Sequence, residues 1–144
     1  MATYLLDTNI CIYIKKHRPI EVLNKFKTLL VGDAVISQIT WGELVFGAYK
    51  SQYTQKVLQE LEELVRLITI LPLNNDVGRH YGQIRAALSQ QGQLIGANDL
   101  WIAAHARASG LILVSNNTSE FERVENLKLE NWVNSPSPIG RGQV

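Results

Sequence analysis

Leu111-Ile112-Leu113-Val114 is the stretch that decides the fold, because it is the clearest strand pattern in the chain. Four consecutive large apolar residues predict a central parallel strand that is covered on both faces. Shorter strand patterns occur at residues 4–6, 35–37, 67–70 and 127–129, and stretches with helical periodicity separate them. This alternation predicts an α/β fold, a three-layer sandwich with a central parallel sheet of about four or five strands between helices.

Length and composition indicate one domain. The chain has 144 residues, of which 46% are hydrophobic and 19% charged, enough apolar surface to form a core. We expect a domain over residues 1–134 and a flexible tail over residues 135–144, which are rich in Pro, Gly and Ser. The single cysteine, Cys11, excludes an intrachain disulfide, and no apolar run approaches the roughly 18 residues of a membrane span. A soluble, cytoplasmic protein is therefore expected.

Four acidic residues fall where ligands bind in a parallel sheet. Asp7 directly follows the first strand, and Glu43 lies in the helix after the second strand. Asp99 opens a helix that is apolar on nearly every side, and Glu120 follows the strand that ends at Val114. Ligands bind beyond the carboxyl ends of parallel strands, so we expect these carboxylates to converge at one edge of the sheet. Oxygen ligands without His or Cys partners favour Mg²⁺ or Mn²⁺.

Each acid also has a purely structural interpretation. Asp7 can cap the helix that follows it, and Asp99 can sit in a first helical turn with Asn98 as the cap. Thr40 can open the third helix and form a capping box with Glu43. The fourth acid can be a solvated surface residue. An unpaired carboxylate beside an unusually apolar helix is costly, however, and this favours the metal-pocket interpretation of the set.

Other patterns exclude several classes of function. The three histidines lack the spacing of a zinc site, and the chain has neither a Gly-x-x-x-x-Gly-Lys phosphate loop nor a Gly-x-Ser-x-Gly element. Zinc chemistry, nucleoside triphosphate hydrolysis and serine hydrolase chemistry are therefore not expected. The basic residues Lys15, Lys16 and Arg18 follow Asp7 closely and are candidates for contacts with phosphates.

Three segments carry a family resemblance. Residues 6–10 (Leu-Asp-Thr-Asn-Ile), 41–48 (Trp-Gly-Glu-Leu-Val-Phe-Gly-Ala) and 98–106 (Asn-Asp-Leu-Trp-Ile-Ala-Ala-His-Ala) resemble the acidic motifs of the PIN domain. More narrowly, they resemble the VapC-type toxins of bacterial toxin–antitoxin pairs, and the similarity runs from about residue 3 to 134. The resemblance implies a Mg²⁺- or Mn²⁺-dependent endoribonuclease without membrane association. It also implies a homodimer that can assemble further with a VapB-type antitoxin.

The resemblance also assigns roles to residues. Asp7, Glu43 and Asp99 match the catalytic acids of the family, and Asp7 and Asp99 are the implied metal ligands. Many PIN domains have an aspartate where this chain has Asn117, so Glu120 is expected to complete the acidic set. The residues expected to support the site are Thr8, Asn9, Ser115 and Asn117.

The branch with a similar Asn-Asn-Thr-x-Glu-Phe pattern includes toxins that cut the anticodon loop of initiator tRNA. The implied substrate is therefore tRNA, and the implied outcome is inhibition of translation. With four of the 13 acids assigned to the pocket, nine remain against 14 basic side chains, a balance that supports RNA binding.

Two alternatives stay open. A catalytically idle PIN-like protein that binds RNA or acts as a scaffold would keep the same acids. A receiver domain would need an acidic pair after the first strand and a phosphoacceptor after the third. Here Asp7 is single, and Pro72 and Leu73 follow the third strand, so this alternative is weaker.

Overall fold

The computed structural model describes residues 2–133 and contains one five-stranded sheet in which every pairing is parallel. The strands are β1 (Tyr4–Leu6), β2 (Ala34–Ser37), β3 (Thr69–Leu71), β4 (Ile112–Val114) and β5 (Leu129–Glu130). Their order across the sheet is β3-β2-β1-β4-β5. The predicted parallel sheet of four or five strands is thus confirmed, while the predicted tail over residues 135–144 lies outside the described residues.

Helices connect the strands and cover the sheet. Within residues 2–133 they are α1 (Thr8–Lys16), α2 (Ile20–Lys27), α3 (Gln38–Lys50), α4 (Thr54–Leu64), α5 (Asn75–Gln90), α6 (Ala97–Ser109) and α7 (Thr118–Phe121). None of the helices in this part of the chain is long and apolar enough to cross a membrane.

Successive strand residues pack into two separate cores, as the pleat of a strand requires. Leu5 and Leu113 belong to a core with the apolar residues of α5 and α6. Their neighbours Leu6 and Val114 belong to a second core with α1, α2, α3 and α4. Leu5 pairs with Leu113 and Leu6 with Val114 across β1 and β4, and all four side chains are buried. The predicted three-layer sandwich is therefore confirmed.

The strand order places a switch point beside β1. The chain proceeds from β1 through β2 to β3 on one side, and then places β4 and β5 on the other side. Connections that leave β1 and β4 therefore diverge at the carboxyl edge of the sheet, where a crevice forms. Asp7 follows β1 at this edge, and Ser115 follows β4.

The third helix begins earlier than the sequence suggests. Its cap is Ser37, the last residue of β2, whose side-chain oxygen accepts the N–H of Ile39 at 3.1 Å. Thr40 therefore lies inside α3 and is buried, and the predicted capping box with Glu43 is wrong. Glu43 is the sixth helical residue, too far along to reach the free N–H groups of the first turn.

The sixth helix also has a different cap. Gly96 occupies the N-cap position, so the prediction that Asn98 caps this helix is wrong. Asn98 is instead the second residue of α6, and Asp99 is the third. The Asn98 side chain is consequently available for a contact outside its own helix.

Candidate active site

Asp7 links the end of β1 to the start of α1. Its Oδ1 accepts the N–H of Ile10 at 3.0 Å, so it does cap the helix, and only 6% of the residue is exposed. Burial raises the pKa of Asp7, whereas hydrogen bonds from the Ser115 side chain and from the backbone of Ile10 and Asn9 lower it. The negative charge of Glu43 raises it further. The capping role and a place in the acidic pocket are therefore compatible for this residue.

Glu43 is held between two other helices. The hydroxyl of Thr8, the first residue of α1, donates to Oε1 of Glu43. The side-chain amide of Asn98, at the start of α6, donates to Oε2 at 3.1 Å. Both oxygens of this half-buried carboxylate are thus oriented by side chains that stand at helix N-termini.

The pKa of Asp99 is raised well above its usual value. Burial raises its pKa to about 6, and the charges of Glu120, Glu43 and Asp7 add to the effect. A hydrogen bond from Asn117 acts in the opposite direction. Because like charges raise a carboxyl pKa only at short range, these effects place all four acids in one pocket.

Asn117 joins the fourth acid to the third. Its side-chain amide donates to Oε2 of Glu120 and lies 3.5 Å from Oδ2 of Asp99. Its own backbone N–H donates to the hydroxyl of Ser115 at 2.8 Å. Glu120 is half-buried and held in this network, so it is not a freely solvated surface acid. The predicted supporting residues Thr8, Ser115 and Asn117 all contact an acid through their side chains, and Asn9 does so through its backbone.

The donor set suits a hard divalent cation. It consists of carboxylate oxygens from the N-cap of α1 and from α3, α6 and α7, together with hydroxyl and amide oxygens, the ligand types that Mg²⁺ and Mn²⁺ prefer. Within residues 2–133 no three acidic, histidine or cysteine side chains are already arranged to hold an ion. Glu43 and Glu120 are hydrogen-bonded to neutral partners, and Asp7 is engaged by its helix cap. A bound cation would relieve the repulsion between the negative charges around Asp99.

The predicted basic cluster lies away from these acids. Lys15 and Lys16 occupy the last turn of α1, about 10–12 Å along the helix from Thr8. The ammonium of Lys15 forms an ion pair with Glu60 of α4 at 3.1 Å. Lys16 and Arg18 are exposed at the same end. The structure thus does not bring the cluster together with the acidic pocket.

Sequence reasoning missed part of the wall of this site. A cavity of about 610 Å³ opens beside Glu43, and its lining comprises Thr8, Gln38, Ile39, Gly42, Glu43, Phe46 and Asn98. Asn98 directly precedes Asp99 in the chain, and Phe46 follows Glu43 by one helical turn. These spacings were the available signals, because residues three apart on a helix share a face.

Comparisons with known proteins show which family this chain resembles. The PIN domain family model matches residues 4–127. A protein named ribonuclease VapC2 from Haemophilus influenzae is 50% identical over 133 residues, which is 92% of this chain and 100% of that protein. A protein named tRNA(fMet)-specific endonuclease VapC from Shigella flexneri is 46% identical over 132 residues, covering 92% of this chain and 99% of that one.

Solved structures are similar along almost the whole chain. A chain of VapBC2 from Rickettsia felis, crystallised with a promoter DNA fragment, has a TM-score of 0.85 and 37% identity, and 90% of this chain and 98% of that chain are covered. A chain of DNA-bound VapBC from Salmonella typhimurium has a TM-score of 0.86 and 36% identity, with coverages of 92% and 99%.

Proposed function

Because this chain belongs to the PIN domain family and, within it, to the VapC ribonucleases, we propose that it cleaves tRNA with the help of Mg²⁺ or Mn²⁺. The observation that carries the metal dependence is the set of four carboxylates around one pocket, where burial raises the pKa of Asp99 to about 6 and the charges of the other three acids add to the effect. Such a group of like charges is stable near neutral pH when a divalent cation compensates it. A family relative named for tRNA(fMet) supports initiator tRNA as the substrate.

The acidic residues of the pocket have different proposed roles. Asp7 and Asp99 are the proposed metal ligands, since Asp7 is buried, Asp99 is half-buried, and the charge of Asp7 raises the pKa of Asp99. When bound, the cation would activate a water and offset charge on the phosphate. Glu43, whose carboxylate is oriented by Thr8 and Asn98, is the proposed residue that would orient an attacking water and accept its proton. Glu120, which is linked to Asp99 through the side chain of Asn117, adds a fourth carboxylate to the pocket.

The experiment compares the two kinds of methionine-specific tRNA. Initiator and elongator tRNA transcripts, labelled at the 5′ end, are incubated with the protein in Mg²⁺, in Mn²⁺ and in EDTA. We expect one cut in the anticodon loop of the initiator tRNA, none in EDTA, and none with Asp7→Asn or Asp99→Asn. Equal cleavage of both tRNAs would refute the initiator preference and leave the ribonuclease activity standing.

The same assay separates the active enzyme from an idle RNA-binding protein. An idle protein would retard tRNA in a gel without cutting it, in any metal. In cells, an idle protein and its Asp99→Asn variant should have the same effect on growth. An active toxin should arrest growth only when Asp99 is intact. Growth arrest by both proteins alike would favour the idle interpretation.

We further propose a homodimer and a VapB-type antitoxin as partners. The two similar structures from Rickettsia felis and Salmonella typhimurium are VapBC complexes bound to DNA, and this supports a similar assembly. An arginine of the partner would suit the acidic pocket, because its planar donors pair with carboxylates. Purification from the native host should yield a small bound protein, and its removal should raise ribonuclease activity. A chain that purifies alone and is harmless when overexpressed would contradict this proposal.

A further inference from the structure

Phe46 is an exposed aromatic residue that does not belong to the buried core. It lies one turn after Glu43 on α3, and 66% of its surface is exposed. Its ring lines the same 610 Å³ cavity as Glu43 and Thr8. A large apolar side chain that faces solvent beside catalytic groups gains contact energy when a flat ligand covers it.

The cavity offers more than the ring. Gln38 and Asn98 line it and are exposed, and their side-chain amides can donate and accept hydrogen bonds. Asn98 uses its Nδ2 on Glu43, so its Oδ1 remains to face a ligand. A Cβ added to Gly42 would meet no atom within 4 Å, so this part of the wall is open. The volume falls in the range of about 300–1,000 Å³ that small ligands occupy.

A positive charge lies over the ring, with the ammonium of Lys50 5.9 Å from the centroid of Phe46. An aromatic surface with amides on one side and a cation on another matches the three parts of a nucleotide, which are a flat base, polar base edges and a phosphate. Single-stranded RNA is recognised in this way, by stacking of unpaired bases on aromatic side chains and hydrogen bonds to their edges.

We propose that Phe46 is a stacking surface for one base of the RNA next to the bond that is cut, with Gln38 and Asn98 reading the edge of that base. The inference rests on the proposed ribonuclease function and deepens it. The occupant must reach the acids, because Glu43 and Thr8 form part of the same wall. A nucleotide beside the reacting phosphate meets this requirement.

The test uses three variants and a matched control. Phe46→Ala removes the ring, Phe46→Trp keeps an aromatic surface, and Gly42→Leu narrows the cavity with a side chain one turn before Phe46 on the same face of α3. The control is Tyr49→Ala, which removes an aromatic ring of the same 66% exposure one turn further along α3 that does not line the cavity. Thermal melts confirm that each variant folds.

Two readouts are measured. The first is the KM and kcat for cleavage of a tRNA anticodon stem-loop. The second, in EDTA, is the fluorescence of the same stem-loop with 2-aminopurine in its loop, which is quenched on stacking. Phe46→Ala should raise KM about five- to hundred-fold and abolish the quenching, because stacking of a base on an aromatic ring has about this effect. Phe46→Trp should retain both, Gly42→Leu should raise KM, and Tyr49→Ala should stay within about two-fold of the wild type.

Several results would overturn the inference. A wild-type protein that cleaves RNA while Phe46→Ala has unchanged KM and quenching would contradict the stacking role. So would equal defects in Phe46→Ala and Tyr49→Ala together with a shift from dimer to monomer, since that result would assign the surface to a second copy of the chain. Phe46-dependent quenching without cleavage by the wild type would support the stacking surface and contradict the ribonuclease function, so the two failures are distinguishable.

Discussion

Asp99→Asn should stabilise the metal-free protein near neutral pH, because it removes one charge from four crowded carboxylates. The pKa of Asp99 is raised from 3.8 to about 6 in the folded protein. The folded state therefore binds a proton more readily than the unfolded state between these two values. The resulting penalty on wild-type stability is fully present above about pH 6, fades as the pH falls through 6, and is absent below about 3.8.

The size of the effect follows from this shift. A rise of about two pKa units corresponds to at most about 3 kcal/mol. Asp99 is only half-buried, so solvent screening reduces this to about 1–2 kcal/mol. Loss of the favourable interaction with the N-terminus of α6 costs about 0.3–1 kcal/mol. A net gain of up to about 1.7 kcal/mol remains, equivalent to a rise in Tm of up to roughly 7 °C for a chain of this size.

The assay is thermal melting of both proteins in EDTA at pH 7.5 and at pH 4.5. The variant should melt higher at pH 7.5, and the difference should shrink or reverse at pH 4.5. The control is Asp76→Asn, which neutralises an exposed acid in the first turn of α5 and should lower Tm slightly at both pH values. Mg²⁺ should raise the Tm of the wild type by more than that of Asp99→Asn. If Asp99→Asn instead behaves like Asp76→Asn and both proteins respond equally to Mg²⁺, Asp99 is merely a helix-dipole acid and the reasoning fails.

Three further predictions concern single contacts. Thr8→Val, which removes the hydroxyl bound to Glu43, should slow tRNA cleavage about ten-fold, whereas Thr8→Ser should restore most of the rate; equal rates for Val and Ser would contradict this role. His105→Ala should lower the free energy of unfolding in urea by about 2–4 kcal/mol, because His105 is 1% exposed and its Nδ1 lies 2.8 Å from the Ser37 hydroxyl; a loss below about 1 kcal/mol would refute this. Cys11 should resist a thiol reagent at pH 8 until the protein unfolds, since burial raises the pKa of its thiol; rapid labelling of the native protein would be inconsistent with that burial.

Much of the fold followed from the sequence because the strands are short and apolar and the helices between them are periodic. The pattern at residues 111–114 identified β4, and the alternation of elements identified a parallel sheet. Helix starts were less accessible. The cap of α3 is a residue that also belongs to β2, and the cap of α6 is a glycine without a side-chain hydrogen bond. The usual signal is a polar N-cap residue between the strand and the helix. Ser37 is polar but lies within β2, and Gly96 has no polar side chain.

The site was predictable in its acids and less so in its surroundings. Asp7, Glu43 and Glu120 could be grouped because they follow separate strands that end at the same edge of the sheet, and Asp99 because it opens an unusually apolar helix just before β4. The contacts of Asn98 could not, because a side chain 55 residues from Glu43 gives no local pattern. The distance of the basic cluster from the acids depends on the length and direction of α1. Closeness of the residues in the sequence does not reveal this distance.

The central claim is that these carboxylates form one divalent-metal site that cleaves RNA. The most direct measurement is the rate of initiator tRNA cleavage by chelator-stripped protein as Mn²⁺ is added, with bound Mn²⁺ followed in the same samples by electron paramagnetic resonance. The account predicts no cleavage before Mn²⁺ binds, a rate that rises in parallel with bound Mn²⁺, and loss of both in Asp7→Asn. Full cleavage in the stripped protein, or unchanged Mn²⁺ binding by Asp7→Asn, would contradict it.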